Sequence, residues 1–233
     1  MEFALAKEGY TNYSAGDFGW EDRVFLVGHS DAATDMPYVL PGVADYWAGT
    51  SSTAGLRTHT FNIFFTLAEC RGRDDWRLVF DFVDSHSVRP PLMRVVVNGR
   101  TFTSRLTAGG GDESLSGDYS KACHPQLELI LDKDLIHSGH NQISITPVEG
   151  SWSILDCITL QSENNVELKS DYSNIYLTRV EVADYLIQNG ESQPLLIGVE
   201  HLAGKPNLEV VLDGEKIFTK TIERGSYMLE VPM

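Results

Sequence analysis

The sequence is short of positive charge: 18 Lys and Arg stand against 33 Asp and Glu, a formal net charge of −15. A surface that acidic repels phosphate backbones and anionic headgroups, which argues against nucleic acid and membrane surfaces as partners. Long apolar runs are missing as well, and nothing approaches the roughly 20 residues of a bilayer-spanning helix. The opening MEFALAKEGY has neither a basic stretch nor an apolar core, so it does not read as a signal peptide. Cysteine is scarce. Cys70, Cys123 and Cys157 are far apart with no C-x-x-C, which speaks against a zinc knuckle or a dithiol centre. One disulfide plus a thiol and three reduced thiols both fit the count. No G-x-S-x-G elbow and no EF-hand spacing occurs.

What is present is apolar alternation. The chain has 233 residues, 42% hydrophobic and 10% aromatic, enough for one large or two modest domains. Thr58 to Leu67 places Phe61, Ile63, Phe65 and Leu67 on one face at period two. Trp76 to Val83 does the same with Trp76, Leu78, Phe80 and Phe82. Leu92 to Val97 runs into Asn98-Gly99 and then Thr101 to Leu106. Asn-Gly between two such runs predicts a hairpin, because both residues accept the positive φ of a type I′ turn. Gln126 to Leu131, Gln142 to Val148 and Ser153 to Leu160 complete the series. No amphipathic helix longer than two turns is predicted. Gly28 to Gly55 has few periodic positions, and Tyr38, Tyr46 and Trp47 are there to pack it over a sheet.

The composition turns polar at Gln161 to Asn165, which predicts a boundary there: domains at 1–161 and 162–233. Six strand-like runs follow, from Val166–Leu168 to Tyr227–Val231, with a second hairpin signal at Asp213-Gly214. Short strands at regular spacing predict a small immunoglobulin-like β-sandwich. The fold class is all-β, two β-sandwiches in series.

Two kinds of site are predicted. Asp31 and Asp35 flank a short loop after a strand and can offer oxygens to a structural calcium, against a simply solvated acidic surface. Sugars present apolar C–H faces rimmed by hydroxyls, so a sugar site combines an aromatic platform with hydrogen-bonding side chains. Loop clusters with that composition contain Trp20; Tyr46 and Trp47; Asp84, His86 and Arg89; and Trp152. No pair of carboxylates is singled out for catalysis, and no other cofactor is indicated.

The run Arg89-Pro90-Pro91-Leu92, with Val95-Val96-Val97-Asn98-Gly99, resembles the core of the carbohydrate-binding-module-like domain of rhamnogalacturonan lyases. Gly139-His140-Asn141-Gln142-Ile143-Ser144-Ile145, then Gly150-Ser151-Trp152 and Asp156, is similar to the closing hairpin of the same family, and Trp47-Ala48-Gly49-Thr50 to its tryptophan-glycine segment. The likeness covers residues 2 to 161. It implies a galactose-binding-like jelly roll, non-catalytic, holding polysaccharide or oligosaccharide as an accessory to a secreted or periplasmic pectin-degrading enzyme and packed beside that enzyme's other domains. The family's opening Trp-x-Ile-Gly ahead of Glu2-Phe3 is absent, which reads as a truncation or a lost strand, and no catalytic residue carries over. Two further readings stand beside it: a module that only packs against neighbouring domains, and a polysaccharide lyase or glycoside hydrolase using an acidic loop.

Overall fold

The computed structural model of the chain describes residues 2–4, 23–30, 32–48, 58–68, 75–162, 166–169, 175–187, 192–201, 207–223 and 225–232. They fall into two compact units, Met1–Ser170 and Asp171–Met233.

Alternation builds the first unit as the sequence predicts. One sheet contains β1 (Glu2–Ala4), β3 (Val39–Leu40), β5 (Trp76–Ser85), β8 (Gln126–Leu131) and β10 (Ser153–Ser162). Its order is β1-β10-β5-β8, and β3 pairs with β10 beyond β1. The other contains β2 (Arg23–Leu26), β4 (Phe61–Leu67), β6 (Leu92–Val97), β7 (Arg100–Arg105) and β9 (Gly139–Glu149), in the order β2-β4-β9-β6-β7. The inward residues of both sheets, among them Phe61, Ile63, Phe65, Leu78, Phe80, Phe82, Ile143 and Ile145, share one buried core. Each such side chain contributes about 1.5–3 kcal/mol relative to exposure.

The turns follow from their residues. Asn98 at φ 45° and Gly99 at φ 87° close the β6–β7 hairpin between Val97 and Arg100. The Asn98 amide donates to the Asn141 side-chain oxygen at 2.8 Å and its own oxygen accepts Gln142 N–H at 2.8 Å. Asn141, buried, returns its amide to the carbonyls of His137 and Gly139. The Asn-Gly and Gly-x-Asn motifs behind the family resemblance are therefore one turn-locking network.

The irregular segment between β2 and β4 crosses from one sheet to the other, because these strands run parallel and cannot be joined by a hairpin. On the way it forms a short helix, α1 (Ala32–Asp35), and then β3, which pairs Leu40 with Ser153 and Val39 with Ile154. That pairing sets residues 41–48 beside the turn that precedes β10. Tyr38 is buried as predicted, with its hydroxyl on the Ala32 carbonyl at 2.9 Å, whereas Tyr46 and Trp47 are exposed.

Residues 166–169 stay with the first unit, beyond the predicted boundary at 161. Leu168 bridges to Leu67, and the amides of Ala68 and Lys169 bond to Glu167 and Thr66. Val166–Leu168 is accordingly not the first strand of the second unit. That unit has a three-stranded sheet of β11 (Ile175–Val182), β12 (Pro194–His201) and β15 (Gly225–Pro232), plus a hairpin of β13 (Asn207–Leu212) and β14 (Glu215–Thr221). Asp213 and Gly214, both at positive φ, make the hairpin turn. Ile197, Val199, Ile222, Leu229 and Val231 form its core. The chain is all-β in both units, as the sequence predicts.

Candidate sugar-binding hollow

Three connections meet at one end of the first unit. Asp45 fixes the first, residues 41–48: its carboxylate accepts the Gly42 N–H at 2.7 Å and the Ser151 hydroxyl. The Ala44 N–H reaches Gly150 O at 2.9 Å. The close approach needs two glycines. A Cβ on Gly42 would lie 2.4 Å from Gly150 O. Gly150 itself sits at φ 81°, where a Cβ would lie 2.7 Å from Pro90 O.

His86 fixes the second connection. Its Nδ1 accepts the N–H of Val88 at 3.0 Å and of Arg89 at 2.9 Å, so the neutral ring carries its proton on Nε2. Arg89 O then accepts Ser151 N–H at 2.8 Å, which joins this loop to the third, residues 149–152. Arg105, at the end of β7, donates to Pro90 O at 3.0 Å and pairs with Glu149.

Together these loops form an open hollow of about 620 Å³ whose lining includes Val43, Tyr46, Val88, Arg89, Arg105, Glu149 and Gly150. Tyr46 is 75% exposed and Val88 80% exposed, so an aromatic ring and an apolar side chain stand at its rim. Arg105 is neutralised by Glu149. Arg89 is exposed and has no charged partner among the described residues.

The predicted site residues separate accordingly. Tyr46 and Arg89 come together at the hollow, and Trp47, adjacent to Tyr46, is also exposed. Asp84 and Trp152 are corrected: both are buried and cannot touch a ligand. Asp84 accepts Gly110 N–H at 2.9 Å, the Ser114 hydroxyl at 2.6 Å and Cys123 N–H at 3.3 Å. Trp152 lies in the core with its indole N–H on Asp112 at 3.1 Å and the His86 ring against its edge at 6.0 Å. His86 is half-buried and commits its Nδ1 to the backbone of its own loop. Trp20 and Asp31 lie outside the described residues. Asp35 is on α1, and the calcium pair, which includes Asp31, falls partly outside the described residues; among those residues no group of three or more His, Cys, Asp or Glu able to hold a metal occurs. The sequence reasoning missed Val88, Arg105 and Glu149. The signal available was register: Leu92 opposes both Arg105 and Glu149, which puts those two ends beside the 86–91 loop.

Burial pushes the Asp45 carboxyl above the ordinary carboxylate range, and the Ser151 and Gly42 hydrogen bonds only partly pull it back. Asp112 raises it further, and a protonated His86 lowers it. Folding therefore favours protonated Asp45. This contribution is fully present below the usual 3.8 and is lost as pH rises through the raised value. Asp45→Asn, neutral throughout, is expected to become less destabilising relative to wild type between about pH 3 and about pH 7. Urea midpoints of both proteins across that range check the sign; a difference that is flat or opposite refutes it.

No family model matches the chain, and no curated protein matches it. Among solved structures it is similar to a CBM35 from Cellvibrio japonicus Abf62, at 11% identity over 72% of this chain and 97% of that one, TM-score 0.36. It is also similar to dimeric latent PorU from Porphyromonas gingivalis, at 15% identity over 46% of this chain and 10% of that one, TM-score 0.34. A third is a beta-D-mannosidase from Dictyoglomus thermophilum, at 11% identity over 75% of this chain and 24% of that one, TM-score 0.31. At such scores the chemistry of the hollow has to be read from its own residues.

Proposed function

We propose that the first unit is a non-catalytic carbohydrate-binding module, and that the hollow holds a sugar ring against Tyr46. The observation that carries this is an exposed aromatic ring beside a guanidinium with no charged partner among the described residues, at an open concavity. Tyr46 and Val88 offer apolar surface for the C–H face of a ring, and Arg89 offers a forked donor set that fits a carboxylate. The ligand class is therefore an acidic plant polysaccharide of pectic type. Arg89 gives it local attraction on a chain whose net charge is −15. The lining supports the non-catalytic reading: among the described residues Glu149 is its one carboxylate and is tied to Arg105, so no acid and base face one another there. The module would serve a secreted or periplasmic polysaccharide-degrading enzyme by keeping it on its substrate.

Calorimetry against polygalacturonate, rhamnogalacturonan, arabinan and galactan tests this. Tyr46→Ala is expected to weaken binding about tenfold, and Arg89→Ala to weaken it for the two acidic polymers alone, both without loss of stability because the side chains are exposed. Absence of binding to every polymer, or unchanged affinity in Tyr46→Ala, overturns the assignment.

A further inference from the structure

The second unit has an open strand edge. Among the described residues β11 pairs with β12 and with nothing else. Leu177 lies opposite Val199, Val180 opposite Ile197 and Val182 opposite Leu195. Val199 and Ile197 belong to the core, so this row of β11 points to the core side of the sheet. Yet Leu177, Val180 and Val182 are each more than half exposed. The β13–β14 hairpin covers β12 and β15 with Leu208, Val210, Ile217 and Phe218, and β11 contributes only Ile175 to that packing. An apolar row thus stands beside the outer edge of residues 179–182, which meets no further strand among the described residues, an arrangement that proteins otherwise blunt.

The opposite side of β11 carries Arg179 and Glu181, both exposed and paired with each other. Arg179-Val180-Glu181 is its own complement when a second copy runs antiparallel beside it. With Val180 facing the partner's Val180, each Arg179 faces the partner's Glu181, giving two cross-strand ion pairs. Moving the axis by one residue sets Arg179 against Arg179 or Glu181 against Glu181, which like-charge repulsion disfavours. The charges therefore select both the partner and the register.

We propose that β11 is a self-association edge, which joins two copies of this chain into an antiparallel dimer about a two-fold axis at Val180. The sheets of the two second units then continue into one, and the exposed Val180 and Val182 rows meet side by side. A β-bulge between Leu177 and Arg179 confines the pairing to a short stretch, so the dimer is weak and forms at high concentration.

Sedimentation velocity of the full chain in physiological salt tests this. Wild type is expected to pass from monomer to dimer mass between about 10 µM and about 500 µM, the range of a small interface. Arg179→Glu and Glu181→Arg each create like-charge pairs across the axis and stay monomeric over that range. Mixed in equal amounts, these two variants are mutually complementary and recover the dimer. Val180→Lys, which leaves Arg179 and Glu181 in place, sets two lysines face to face and also stays monomeric. The proposal is overturned by a wild type that remains monomeric, by single variants that associate like wild type, or by a mixture that fails to pair.

Discussion

Trp152→Ala is expected to destabilise the first unit by about 3–5 kcal/mol, the cost of emptying a core site of a large aromatic ring. The ring is only 1% exposed and belongs to the same cluster as Ile154, Phe82 and Tyr38. The surrounding strands are hydrogen-bonded on both sides, so the space cannot close by a small shift of one loop. Trp152→Phe keeps most of the apolar contact and loses the N–H donated to Asp112. Because Asp112 is exposed, its carboxylate recovers water, and that variant costs about 1–2 kcal/mol. Urea or thermal unfolding separates the two. The same pair tells scaffold from ligand platform. If the ring only supports the hollow, folded Trp152→Phe binds polysaccharide as wild type does. A Trp152→Ala protein of normal stability that no longer binds sugar would show instead that the ring is a contact surface.

The strands were legible because a buried sheet face dictates apolar residues at period two, and Phe61 to Leu67 and Trp76 to Phe82 keep one at every inward position, although Phe64 and Val79 on the other face are buried as well. The two hairpin turns were legible for a local reason: Asn-Gly and Asp-Gly accept positive φ whatever lies around them. β3 was not, since two residues cannot display a period, and it exists only because Ser153 and Ile154 offer it an edge. The site was half legible. Tyr46 and Arg89 follow from composition, but whether a loop Trp faces solvent depends on the turn before it. Gly150, at positive φ, turns the chain so that Ser151 and Trp152 enter the interior. Asp84 carried a usable signal. It has the even parity of Leu78, Phe80 and Phe82 and is buried as they are. A carboxylate continuing an inward-facing row has to be a hydrogen-bond hub, since an unpaired one is too costly to bury.

That hub underlies the second large effect. Asp84→Ala is expected to cost about 3–5 kcal/mol, in the range for breaking a buried hydrogen-bonded charge site. Three donors lose their acceptor at once: the amides of Gly110 and Cys123 and the hydroxyl of Ser114. Water cannot readily replace it, because the Gly109 backbone lies against the end of β5. A Cβ there would be 1.8 Å from Ser85 O and 2.4 Å from the Asp84 carboxylate. Asp84→Asn keeps one acceptor oxygen for the two amides and turns an N–H₂ toward the Ser114 hydroxyl, which can accept it. Its cost is therefore smaller, about 1–2 kcal/mol. Hydrogen exchange makes the assignment local: in Asp84→Asn the amides of Gly110 and Cys123 lose protection before those of β4 and β9. The hollow is held by other groups, Asp45 on one loop and His86 on the next. Polysaccharide affinity of the folded Asp84→Asn protein should therefore match wild type. An Asp84→Ala protein that unfolds at the wild-type midpoint would mean that the three donors find other acceptors and that the carboxylate is dispensable to the fold.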